Sequence, residues 1–549
     1  MDLTELKREH ANLLQLQSDY TTECKDVSLY LLPGRGLYDI TTKPTKRKLT
    51  SSKIINTTGD DALQVLTSGI HGGMTSQARP WFLLGFADLR LLKHLMLKKW
   101  LEDCQKSLYA AFRQSNFYEV IHSFYTEYAG FGTSGLYFGE DGSPFRFELM
   151  TVGEYAFSHN FQGKVDKLYR VLFPTYRQMV KEFGIENVAD RIKVSYERDG
   201  EQSTVVVHAV VPETFQDKPF TSYYYEVGSA DKILRKKGFY EFPFIVGRWD
   251  LVGSDVYGLG PGSKALPDIK RLQEMDKAFL MAAHKSINPP VNAPVRKQGQ
   301  VQLLPGGVNY YSNPNEKVTN VYDIRFDYAG VTAAIEKTES KIKTKFFNDI
   351  FISSSRDPNL SPLKAAEVEK RYGEEKVFRI GPVMERLQSE VLGPMIERGF
   401  NILARKDLLP PLDPSLMQLV EQTGGLQVRY VSPLSQSQKY FLISPLNNFL
   451  GAVGGLMQMD PTVKDNIDLD KIVEEYADVT GAPAAVLNTP DRVKEIRDER
   501  QKQIANAQKQ QAQMAQQAML MEQQKGQAEV AKTYSDAGVN LNEVINESL

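Results

Sequence analysis

GLGPGSKALPDIKR, residues 258 to 271, joins a glycine-rich start to a lysine and an apolar run at helical spacing. A phosphate-binding loop needs G-x-x-x-x-G-K-S/T, so that backbone N–H groups curl around the phosphates while lysine and hydroxyl reach the outer phosphate and magnesium. Here Ser263 separates Gly262 from Lys264, and Ala265 stands where the hydroxyl belongs. The stretch therefore reads as a joint. Gly258, Gly260, Pro261 and Gly262 end one element, Ser263 can cap a helix, and Pro267 is tolerable only near that helix's first turn. Ile269, Leu272, Met275, Phe279, Ala283 and Ile287 then recur at spacings of three or four, which predicts a helix from about Lys264 to Ile287, ended by Pro289-Pro290.

Strand and turn follow, including QVQLLPGGVNYY, until a second helix begins near Val331. In VTAAIEKTESKIKTKFFNDIF, Ile335, Ile342, Phe346 and Ile350 share one side. Lys337, Lys341 and Lys345 recur every four residues and form a stripe on the other. Helix, small insert, helix is the pattern of a projecting stalk with a compact tip. The lysine stripe has two readings: a solvated helix face, or contact with a polyanion. Contacts of the second kind go to phosphate and are sequence-blind and salt-sensitive.

The polar loop SSSRDPNLSP comes next, with Arg356 its only cation. Ser361-Pro362 starts a long helical segment, LKAAEVEKRYGEEKVFRIGPVMERLQSEVLGPMIERGFNILARK. Gly381-Pro382 and Gly393-Pro394 sit inside it, and a proline there removes a hydrogen bond and crowds the preceding turn, so a kink is expected at one or both.

Toward the N-terminus the chain reads as mostly helical to about residue 129, with one helix near Asp60–His71 and another over FADLRLLKHLMLKKWLEDCQKSLYAAF. Between them, GIHGGMTSQARPWFLL reads as a glycine-rich joint and an apolar anchor. From 133 to about 256 the texture is α+β: GLYFGE, YRVLF, STVVVHAVV and SYYYEV read as strands and TYRQMVKEFG as a helix. Gln162-Gly163 and Arg198-Asp199-Gly200 read as hairpin turns. Beyond the linker LLPPLDP lies a smaller helical region. DRVKEIRDERQKQIANAQKQQAQMAQQAMLMEQQ, free of Gly and Pro, reads as one helix of about 50 Å that needs copies of itself for burial.

At 549 residues the chain is too long for one ordinary domain. A net charge of −2 gives no bulk sign of tight nucleic-acid binding, and two cysteines make neither a disulfide framework nor a metal set. No stretch reaches the ~18 apolar residues of a membrane span. The seven histidines show no metal-ligand spacing, and no catalytic constellation stands out, so neither enzyme activity nor a cofactor is expected. GFGTSG, residues 130 to 135, matches the dinucleotide fingerprint by letter, but it follows a helix and precedes a strand, the reverse of the required order.

VYGLGPGSKALPDIKRLQEM, the Pro-Pro after the first helix, and SPLKAAEVEKRYGEEKVFRIGPVMERLQSEVLGPMIERGFNIL closely resemble the head-to-tail connector, or portal, proteins of short-tailed, podovirus-type DNA bacteriophages. SGIHGGMTSQARPWFLL and RYVSPLSQSQK match the same family, in the same order along nearly the whole chain. The resemblance implies a predominantly helical α+β subunit that assembles into a ring, a dodecamer in this family, at one capsid vertex of the virion after synthesis in the host cytoplasm. Double-stranded DNA passes through its channel without sequence preference during packaging and ejection. Terminase docks first and tail adaptor and tail tube proteins later, with major capsid and scaffolding proteins as neighbours.

By the same resemblance, residues 1–262 are the wing, 263–288 the first stem helix, 289–328 the clip and 329–351 the second stem helix. Residues 352–362 are then the tunnel loop, 363–405 the kinked tunnel helix, 406–490 the wing return and crown, and 491–549 the C-terminal barrel helix and tail. Lys337, Lys341, Lys345 and Arg356 are the channel-lining candidates. The competing reading is a nucleotide- or metal-dependent enzyme of DNA metabolism with a site built from distant segments.

Overall fold

The computed structural model describes residues 1–39, 51–86, 95–141, 144–228, 232–321, 327–352, 379–412, 416, 426–431, 446, 449–457, 460–480, 488 and 490–536. These form two compact units, Met1–Met459 and Asp460–Leu549. Helices predominate, with antiparallel sheets in the first unit.

The first unit opens with four helices: α1 (Leu3–Tyr30), α2 (Thr58–Met74), α3 (Leu95–Gln114) and α4 (Phe117–Phe131). Asp2 caps α1 by accepting from the Glu5 N–H. Between α2 and α3, Phe82–Phe86 is a strand, β1, where the sequence suggested only an apolar anchor. It pairs antiparallel with Leu426–Tyr430, far along the chain, and no local pattern signals such a partner. Buried Trp81 and Phe82 join Phe112 and Phe117 in an aromatic cluster, and the Tyr109 hydroxyl receives both the Trp81 and Phe82 N–H groups at 2.8 Å.

The α+β region holds two sheets. The strands are β2 (Thr133–Gly139), β3 (Arg146–Met150), β4 (Tyr155–His159), β5 (Val165–Leu172), β6 (Val206–Val211), β7 (Phe220–Glu226), β8 (Ile233–Phe239) and β9 (Phe244–Arg248). One sheet has three strands in the order β3-β2-β9, the other five in the order β4-β5-β6-β7-β8. Leu6 and Leu13 of α1 cover one face of the larger sheet, against Tyr169, Tyr223 and Tyr225. Helix α5 (Tyr176–Phe183) begins in a full capping box between Thr175 and Gln178. The turn at Gln162-Gly163 does link two strands, β4 and β5. Arg198-Asp199-Gly200 does not: it follows a helix, α6 (Asp190–Arg198), whose Ile192, Val194 and Tyr196 alternate as in a strand although only Ile192 is buried.

The opening joint has a steric meaning. Helix α7 runs Pro261–Ile287, three residues earlier than expected, and its N-cap is Gly260, so Ser263 lies inside the first turn and caps nothing. The helix also accommodates Pro267 in its interior. The two glycine-rich stretches dock backbone to backbone. A Cβ at Gly262 would lie 2.1 Å from the Gly130 carbonyl oxygen, and one at Gly260 2.7 Å from that of Ala129. One at Gly132, itself left-handed at φ +87, would lie 2.3 Å from Gly258 O. The α4 C-terminus thus abuts the α7 N-terminus, so carbonyl dipoles occupy the place a phosphate takes in a nucleotide-binding loop.

Helix α8 (Tyr328–Lys345) packs against α7. It ends earlier than its apolar pattern predicted, because Phe347 adopts a left-handed conformation at φ +57 and a short helix, α9 (Asn348–Phe351), restarts after it. The break lets Phe346, Asn348 and Ile350 all enter the core, while Phe351 lies over Gly69 of α2. Residues 379–387 (α10) are helical, Gln388–Leu392 form a π-helix, and Gly393–Arg405 (α11) continue as α-helix. In the second unit, the helices Leu469–Thr480 and Pro490–Asp536 are joined by an exposed Arg497–Asp470 ion pair at 2.6 Å.

Candidate nucleic-acid interface and helix joint

The α7–α8 pair has a buried root and an exposed far end. At the root, Ala265, Leu266, Ile269, Leu272 and Gln273 of α7 are buried, as are Thr338 and Ile342 of α8. Gln273 fixes the root to the loop before α2: its Oε1 accepts from the Ile55 and Asn56 N–H groups at 2.6 and 2.8 Å. The Asn56 amide donates to Asp276 of α7 at 2.7 Å and to Glu339 of α8 at 3.0 Å, tying both helices to one side chain. Further out, Leu280, Met281 and Ile287 are exposed.

Between the helices the described residues form a small tip. Strands β10 (Val291–Asn292) and β11 (Thr319–Asn320) pair antiparallel. A tight turn at Leu304–Gly307, with Gly306 at φ +81, is closed by the Gly307 N–H donating to Leu304 O at 2.9 Å. Val295, Leu304 and Tyr310 lie more than four-fifths exposed.

The three stripe lysines fall into two environments. Lys337 and Lys341 are exposed. Lys345 is half-buried: its Nζ donates to Asp268 Oδ2 at 2.6 Å and to the Lys264 carbonyl at 2.9 Å, so it bridges α8 back to the start of α7. Exposed Lys343 adds a further cation that the stripe pattern does not contain. Arg356 and residues 353–378 lie outside the described residues.

Of the two Gly-Pro pairs, Gly381-Pro382 lies in continuous α-helix. The π-helix ends directly at Gly393-Pro394, where the Gly393 N–H donates to Gln388 O five residues back. A Cβ on Gly393 would sit 3.0 Å from that same oxygen. The elements beside this turn meet through charged groups that helical periodicity did not single out. Glu390 accepts from the Arg248 backbone N–H at 3.0 Å and from its guanidinium at 2.7 and 3.2 Å. Arg398 is fully buried in α11; it donates to Phe138 O at 3.2 Å and ion-pairs with Glu140 at 2.9 Å and Glu241 at 3.1 Å. In sequence Arg398 looks like an ordinary surface charge of an amphipathic helix; its partners come from distant strand ends.

Among the described residues no group of three or more His, Cys, Asp or Glu gathers to hold a metal, and no helix is long and apolar enough to cross a membrane.

Residues 3–487 match the family described as bacteriophage head to tail connecting protein, and the chain belongs to that family. It is 33% identical over 523 residues to the portal protein of Salmonella phage epsilon15, covering 92% of this chain and 93% of that one. The probable portal protein of Bordetella phage BPP-1 is also 33% identical, over 521 residues, covering 92% of this chain and 91% of the relative. A chain from the neck of an empty GTA particle superposes with a TM-score of 0.34 at 9% identity, covering 71% of this chain and 86% of that one.

Proposed function

We propose that this chain is the portal subunit of a phage virion, a structural protein rather than a motor. The family match across residues 3–487, together with relatives named as portal proteins along nearly their whole length, carries the reading. Copies close head to tail into a ring, twelve by family analogy, at one capsid vertex. Double-stranded DNA is packed and released through the central channel. Terminase and later the tail adaptor and tail tube proteins dock on the ring, with major capsid and scaffolding proteins around it.

In this proposal residues 1–262 form the wing, with 263–288 and 329–351 as stem helices and 289–328 as the clip at the tip. Residues 352–362 are the tunnel loop, 363–405 the kinked helix, 406–490 the wing return and crown, and 491–549 the barrel helix and tail. Lys337 and Lys341 supply cations for passing phosphates, joined by Arg356. Lys345, held by Asp268, sets the stem's internal register as much as it offers charge. Contacts through exposed lysines act over only ~8 Å at physiological salt, which lets DNA slide.

Native mass together with negative-stain images of the purified protein tests the architecture: rings with a central hole and a mass near twelve chains are expected. A persistent monomer that hydrolyses ATP overturns the reading in favour of an enzyme. At the stem, replacing Lys337 and Lys341 with Gln is expected to alter DNA packaging or retention, and its salt dependence, while ring assembly stays intact. Packaging that is unchanged across a range of salt removes the lysines from the channel.

A further inference from the structure

Five side chains form one row across the larger sheet. Strand register pairs Tyr155 of β4 with Arg170 of β5, Arg170 with His208 of β6, His208 with Tyr224 of β7, and Tyr224 with Arg235 of β8. Paired residues share a face, so these side chains are neighbours. His208 stands in the middle and is 2% exposed. Its ring stacks on Tyr224 at 4.1 Å between centroids, with Phe244 of β9 at 5.3 Å and Tyr137 of β2 at 6.0 Å. Its Nε2 shares a hydrogen bond with the buried Ser222 hydroxyl at 2.9 Å.

The charges around the ring are already matched to one another. Arg170 pairs with Glu148 of β3 at 2.6 Å. Arg146 pairs with the same carboxylate at 2.6 Å and with Asp141 at 2.7 Å. Arg235 lies over Tyr224, 4.7 Å from its centroid, and pairs with Glu182 of α5 at 2.7 Å. Glu226, the next residue on this face of β7, is held by Arg191 of α6 and by Thr204. Among the described residues Ser222 is the one side chain that hydrogen-bonds His208, and the Nε–H groups of Arg170 and Arg235 are buried without an acceptor. An imidazolium here is a desolvated charge between two guanidiniums, with a hydroxyl and not a carboxylate for a partner. Burial first, and Arg170 and Arg235 after it, hold the ring well below its ordinary value of 6.5.

We propose that His208 makes the five-stranded sheet acid-sensitive: the sheet closes on the neutral ring, and a proton is taken up only when β6 and β7 open. The opening is a rare local unfolding, not a second packing, so the buried side chains of the row leave the core only in that minor state. In the open state His208 titrates at its ordinary value, while the closed sheet takes no proton. Opening is therefore favoured by a factor of about 1 at pH 7.5 and about 30 at pH 5. Protection from this group is full above pH ~6.5 and falls as acid is added. The element lies within one subunit and is independent of the portal reading.

Hydrogen exchange on the full-length purified protein, with rates divided by the intrinsic amide rate at each pH, gives the opening constants of β6 and β7 at about pH 7.5 and about pH 5. His208→Phe keeps the ring stack and His208→Gln keeps a polar partner for Ser222; neither takes a proton. The wild-type opening constant is expected to rise about thirtyfold more between the two pH values than that of either variant. His10, stacked on Tyr169 of the opposite face and lowered by burial to about 4, titrates in all three proteins and cancels, as do the carboxylates. A plain loss of packing raises opening equally at both pH values, so one variant suffices where the other does not fold. A variant whose rise matches wild type within about threefold overturns the proposal, because the closed sheet then accepts the proton. The readout requires neither ring nor DNA, so its failure is separable from failure of the portal reading.

Discussion

Glu127 shows how far a single residue can depart from what its letter suggests. It lies in α4, fully buried, and among the described residues its ion-pair partner is Arg35 at 3.2 Å. Burial raises its carboxyl from 4.5 to about 7, with Arg35 pulling the other way. Between those pH values the folded chain holds a proton that the unfolded chain has released. Stability from this group is therefore complete below pH 4.5 and lost as pH rises through 7. Glu127→Gln removes that penalty. Its denaturant midpoint relative to wild type is expected to improve from pH 4.5 to pH 8 by the equivalent of about 3 kcal/mol. A pH-independent difference means that Glu127 titrates in the fold as it does in the unfolded chain. The glycines teach a related lesson. Their spacing was enough to reject a phosphate loop at 258–264, and the order of flanking elements to reject a dinucleotide loop at 130–135. That the two stretches fill each other's space was not legible, because the contact joins residues far apart in the chain.

At the scale of elements, legibility tracked whether the deciding interaction is local. Helix α5 was readable because Thr175 and Gln178 cap each other within one turn. Helices α7 and α8 were readable from apolar spacing, although the left-handed residue Phe347 that ends α8 was hidden behind a continuous helical pattern. Strand β1 was missed because its partner lies at 426–430, and α6 because its apolar residues alternate. The π-turn belongs with the hidden features, since its partners are Arg248 on β9 and Tyr430 at the end of β12 (Leu426–Tyr430), whose hydroxyl donates to Gln388 O at 3.1 Å. Strand β9 also contributes an absence: Gly247 has no side chain where Val391 of the π-turn sits. A Cβ there would lie 2.7 Å from Val391 Cγ2 and 3.0 Å from Phe124 Cζ. Gly247→Ala is expected to cost about 1–3 kcal/mol by overpacking. The cost should shrink when Val391→Ala makes room, a coupling that a double-mutant cycle by denaturant unfolding measures. Additive effects within about 0.5 kcal/mol would mean that strand and π-turn are not packed as described.

For the whole molecule, composition and charge said little and the order of motifs said much. A net charge of −2 hides a helix, α8, whose exposed lysines stand beside Glu336 and Glu339. What one chain cannot display is where its unpartnered surfaces go. The helix Pro490–Asp536 illustrates this, with Ile504 at 52% exposure and Met514, Met519 and Leu520 at 66%, 72% and 56%. Over 47 residues it would extend roughly 70 Å at 1.5 Å per residue. Helices draw most of their stability from burying an apolar face, so one whose described apolar side chains from Ile504 onward lie in water is only marginally stable there at physiological temperature. If rings supply the missing burial by bringing copies side by side, helix content must depend on assembly. Mean residue ellipticity at 222 nm, followed against concentration alongside light scattering, is expected to rise as monomers give way to rings. The increment should vanish in a chain truncated after residue 489. Equal ellipticity in monomer and ring would mean that the helix stands alone, and would remove the burial argument for a barrel of such helices while leaving ring closure through the first unit untouched.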